Sequence, residues 1–262
     1  MKRRFPTILA ITVTFLFAVL ATNRLDWTDS STFLTSLDLR WLDTKFQLRG
    51  RLVPGDEVII VGLDDRTMDS LGSARTFERK HVPALIDQIS AAGPRVIGFD
   101  ILYEDEDASD PRNDALFAEA IERAGNVVLA ARLDLESTTG ESGERQELDP
   151  DFQELVVQKQ VFPAVRQRGT NTGASMIQGY DLSMNLPIHN QAAATFGFVN
   201  FHPDAQGFLR YQPQFIEWGG RLYPSLDLQL LKLYLGAPSV TIAMQDNRVE
   251  QVQVGDYVIP TD

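Results

Sequence analysis

GPRVIGFDILYEDEDASD, Gly93 to Asp110, is the stretch on which the reading of the chain turns. It is a short apolar run, Arg95 to Tyr103, opened by Gly-Pro and closed by a dense acidic loop. An uninterrupted apolar run of this length between turn signals fits a strand buried on both faces of an α/β sheet. Such sheets present ligands outside the carboxyl ends of their strands, which puts Asp100 and the acids after it at the ligand-facing edge.

Working outward, EVIIVGLDD, Glu57 to Asp65, has the same character. HVPALIDQISAAG between the two runs places Val82, Leu85, Ile86 and Ile89 on one helical face. Strand, helix, strand makes a β-α-β unit with parallel strands, so Asp64 and Asp100 are expected to end neighbouring strands on one edge. Ser109-Asp110-Pro111 starts the next helix, with Leu116, Phe117, Ala120, Ile121 and Ala124 inward and Gly125 as its stop. NVVLAARLD, Asn126 to Asp134, then reads as a third strand of the core.

From Leu135 to Pro187 the periodicity dissolves into polar residues, which predicts a surface insertion. Order returns with FGFVNF from Phe196, a turn at HPDAQG, and FLRYQPQFIEW as a half-wet strand closed by a Gly219-Gly220 hairpin turn. Pro224-Ser225 opens a helix that is leucine-rich all round, a sign of burial on several sides. The tail reads as two short strands joined at Asp246-Asn247, and its abrupt end predicts a truncated chain.

The net charge of −12 argues against a nucleic-acid partner, which needs a basic face. With no cysteine, disulfides, thiolate metal sites and thiol nucleophiles are excluded. Three N-terminal cations, Lys2, Arg3 and Arg4, precede an uncharged run from Phe5 to Thr22. That run is long enough to span a bilayer, which takes roughly 17–25 residues, and the positive-inside bias leaves the bulk of the chain outside the cytoplasm. The membrane partner is therefore expected through Phe5 to Thr22, at the inner membrane, with a cleaved signal peptide as the rival reading. Residues 27 to 50 carry leucines and aromatics at mostly helical spacing up to Gly50, a juxtamembrane helix. The expected organisation is an anchor over 1–26, a juxtamembrane helix and entry loop over 27–56, and a domain over 57–262 with 135–187 insertion-like. The fold class is α/β, a parallel-core mixed sheet flanked by helices and preceded by one transmembrane helix.

Seven acids lie between Asp100 and Asp114, with Arg112 the only base among them. Carboxylates this dense either hold a hard cation or form a solvated rim, and no EF-hand spacing decides between the two. Asp64, Asp65, Asp100 and Glu104 are the primary candidates for a ligand or cation site. Arg79, His81 and Asp107 are secondary candidates, since Arg75, Arg79 and Lys80 form a small basic group ahead of a helix. Paired carboxylates can also do acid/base work, so a metal-dependent exported hydrolase using Asp64 and Asp100 is one alternative and a membrane-anchored scaffold another. No nucleophile elbow, phosphate loop or His-x-x-x-His pair is present, and no cofactor is required.

DLRWLDTKFQLRG from Asp38, VIIVGLDDRTMDSLG from Val58 and HVPALIDQISAAGPRVIGFDILYEDEDASD from His81 occur in one order with NDALFAEAIERAGNVVLAA from Asn113. LPIHNQAAATFGFVNFHPDAQGFLRYQPQF from Leu186 and YPSLDLQLLKLYLG from Tyr223 follow. Together these resemble the second type of CHASE domain, a cyclase/histidine-kinase-associated sensory extracellular domain, from about Leu37 to the end. Where that family often has a Trp-Pro-Trp-Pro-Arg-like run, this chain has RTFER and keeps an aromatic and the final arginine, Arg79. The resemblance implies a bacterial input domain outside the membrane, without catalysis of its own, relaying a stimulus to a cytoplasmic output domain. It supplies no ligand and no binding residues. A small-molecule or protein ligand and a homodimer are the partners expected.

Overall fold

The computed structural model describes residues 11–15, 33–71, 78–135, 154–156, 159, 164–168, 177–201, 203–204, 207–245 and 248–261. They fall into two compact units, one formed by residues 1–62 with 203–210 and the other by residues 63–202 with 211–262.

In the smaller unit, helix α1 (Phe33–Arg49) ends at Gly50, whose positive φ of 72° lets its N–H turn back to the carbonyl of Phe46. Residues 51–62 have no regular structure, which corrects the expected strand over Glu57 to Asp65. Val58, Ile59, Ile60 and Val61 are each more than half exposed. An apolar run shows that a segment suits burial; a strand also needs a ladder partner, and among the described residues this one has none. Among the described residues no helix is long and apolar enough to cross a membrane. The run Phe5 to Thr22 lies outside the described residues, apart from the helical residues 11–15.

The larger unit begins with α2 (Asp65–Leu71), a 3-10 turn (Arg79–His81) and α3 (Val82–Ala91). Strand β1 (Ile97–Phe99), helix α4 (Arg112–Ala124) and strand β2 (Val127–Leu133) then form the β-α-β unit, parallel with Ile97 opposite Val127 and Phe99 opposite Leu129. Strand β5 (Thr195–Phe198) pairs in parallel along the other edge of β2. Ile97, Phe99, Val127 and Leu129 share one face with Val82, Ile86, Phe117 and Ile121 from α3 and α4.

The β1 strand is shorter than Arg95 to Tyr103 because the chain leaves β2 at Asp100. Strand β4 (Leu182–Met184) takes over that edge of β2 antiparallel, with Met184 opposite Ala131. Asn185 bridges the change of partner: its side-chain carbonyl accepts from the Tyr103 N–H and its amide donates to the Ala130 carbonyl, at 2.9 and 3.1 Å. Residues 135–187 are therefore not only a surface insertion, since Leu182 and Met184 are core residues. A three-residue strand is too short to leave a periodicity.

Helix α6 (Leu226–Leu235), capped by Ser225, lies on the opposite face of the first sheet. At Gly197 a Cβ would stand 2.6 Å from the Leu226 Cα, so only glycine admits this approach. The α6 residues Leu228, Leu231 and Leu235 turn instead to a second sheet, which explains leucine on all sides. That sheet runs β10 (Tyr257–Pro260), β9 (Arg248–Val254), β8 (Val240–Gln245), β3 (Ala164–Arg168); the tail supplies three of its strands, one more than its sequence predicts, and β3 comes from the 135–187 region. The hairpin β6 (Phe215–Trp218) to β7 (Arg221–Pro224) turns at Gly219 and Gly220, as its sequence predicts.

Candidate functional site

The acids after β1 are held from beneath by one buried network. Asp114 sits in the first turn of α4, three residues before Phe117, and so points into the core with it. One carboxylate oxygen pairs with the Arg79 guanidinium, delivered by the 3-10 turn before α3; the other accepts the Asp107 N–H at 2.9 Å. Arg79 also donates to the Asp105 carbonyl at 2.8 Å and lies over the Tyr103 ring, 4.3 Å from its centre. Asp107 accepts from the Ser109 hydroxyl and N–H and from the Asn113 amide, bonds that hold its carboxyl at about 2. The loop is thus ordered by its own Asp107, by Asp114 of α4 and by the buried Arg79.

His189, on α5 (Pro187–Ala192), closes the network from the other side. Its Nε2 is 3.1 Å from the Asp114 carbonyl oxygen and its ring packs 4.5 Å from that of Phe117. Burial pushes its pKa down to about 4, and Nδ1 has no hydrogen-bond partner. Burial likewise pushes the Tyr103 phenol up to about 12.

Above the network, at the carboxyl ends of β1 and β2, lies an exposed rim. Asp100 and Glu104 are exposed, Arg132 comes within 4.0 Å of Glu104 and 3.6 Å of Asp134, and the rim therefore mixes charges. Asp64 does something else: it caps α2 by accepting the Thr67 N–H and hydroxyl at 3.0 and 2.9 Å, which lowers its pKa. Asp65 is the exposed first residue of that helix, and His81 ends the 3-10 turn, half-buried. The missing 57–65 strand means that Asp64 and Asp100 do not end paired strands, and no hydrogen bond joins them. Among the described residues no group of three or more His, Cys, Asp or Glu is placed to hold a metal ion.

Asp114, Asn185 and His189 belong to the network without belonging to any sequence motif. Asp114 carries a legible signal, an acid on the apolar stripe of its own helix. Asn185 and His189 carry none, because their partners are 55 to 82 residues away in sequence.

A family model described as the CHASE2 domain matches residues 11–262. No curated protein and no solved structure matches the chain.

Proposed function

Because the chain belongs to the CHASE2 domain family, a family of extracellular sensory domains in signalling proteins, we propose that it is the input domain of a bacterial transmembrane signalling protein. The family match carries this reading. The apolar run Phe5 to Thr22 anchors the chain in the inner membrane, the domain lies outside the cytoplasm, and the output domain is in another part of the full-length protein. The stimulus acts at the rim around Asp100, Glu104 and Arg132. Support for that placement comes from the strand-end position and from the contrast between an exposed mixed-charge surface and the buried network that fixes its backbone. A ligand there shifts the domain between two arrangements only by the difference in its affinity for them.

Fusions test the placement. Alkaline phosphatase joined after Gly50 or after Asp262 is expected to be active, and a fluorescent protein that matures only in the cytoplasm is expected to be dark at both points. The opposite pattern removes the proposal.

A further inference from the structure

Helix α1 has two opposed faces, and among the described residues nothing covers one of them. On one side Leu39 is buried and Asp43 is gripped by Arg210, although Phe46 on that side is 46 % exposed. On the other, Leu37, Trp41 and Leu48 are 44, 57 and 79 % exposed, with Thr44, also exposed, between them. Steps of four, three and four residues put these side chains within about 60° of one another at 100° per residue, the a/d seam of a coiled coil.

The charges beside the seam identify what covers it. Asp38 and Lys45 flank one side, Arg40 and Gln47 the other. Two parallel copies bring Arg40 of one helix against Lys45 of the second, a like-charge contact. Two antiparallel copies bring Asp38 against Lys45, and a twofold axis makes that attractive pair twice. We infer that this face docks on α1 of a second copy of the chain, antiparallel, with Leu37 opposite Leu48 and Trp41 opposite Thr44. A seam on a helix of 17 residues buries less than the about 800 Å² per partner of a standard interface, so the dimer is concentration-dependent.

The chain has no cysteine, so cross-linking can be read directly. In membranes of cells expressing the full chain, Leu37→Cys with Leu48→Cys should give a disulfide dimer on mild oxidation. Neither single variant should, because identical positions lie about 16 Å apart along antiparallel axes, beyond the about 7 Å between Cα atoms that a disulfide spans. Asp38→Lys should reduce the yield several-fold and Asp38→Lys with Lys45→Asp should restore it; both positions are exposed, so the fold is unaffected. Dimers from the single variants, no dimer from the double, or no effect of the charge exchange would each overturn the inference.

Discussion

The Arg79 guanidinium and the Asp114 carboxylate form an ion pair beneath the acidic loop, and each side chain keeps less than a tenth of its surface in contact with solvent. Removing one partner leaves the other charge buried without its counter-charge. Asp114→Ala or Arg79→Ala is expected to destabilise the domain by about 3–5 kcal/mol, whereas Arg79→Met with Asp114→Leu costs far less than the sum of the two. Urea unfolding at pH 7 measures all three.

His189 predicts a pH dependence with a defined direction. Its folded pKa of about 4 is below the unfolded value of 6.5, so between these pH values the unfolded chain binds a proton that the folded chain refuses. The penalty is absent above pH 6.5, grows as the pH falls, and is complete below about pH 4, reaching about 3 kcal/mol. His189→Gln should flatten this part of the stability profile. Protonation of Asp107 acts lower, towards pH 2, where the loop loses the bonds from Ser109 and Asn113.

The close approach of β5 to α6 gives a third expectation. Gly197→Ala drives a Cβ into Leu226 backbone and should destabilise by about 1–3 kcal/mol. At Gly98→Ala the nearest atoms belong to the Leu230 side chain, 2.8 Å away, which can turn aside, so its thermal midpoint should fall less.

These contrasts also show how far the sequence is legible. The run of Gly93–Asp110 correctly marks β1 and its acidic loop, and helical spacing finds α3, α4 and α6, because in each case the signal is local. It misplaces Val58–Val61 for the converse reason: apolar character is local, but a ladder partner is not. For the site, the acids are visible in composition, yet their sorting into the buried Asp114, the loop-closing Asp107 and the exposed Asp100 depends on Arg79 and on helix phase. Asn185 is invisible because it repairs a gap between β1 and β4 that exists only in the folded sheet.

Arg210 binds Asp43 through two parallel hydrogen bonds of 2.8 Å and also pairs with Asp204, fastening the 203–210 loop to α1. Lysine cannot reproduce that fork. Arg210→Lys is expected to speed hydrogen exchange in the 207–210 segment while exchange in β2 stays unchanged.

Sensing outside the cytoplasm is the central claim, and the rim offers the most direct test of it. With Asp100→Cys as the only thiol in the chain, a membrane-impermeant maleimide applied to intact spheroplasts should label the protein as fully as it does after lysis. Labelling only after lysis would contradict the account.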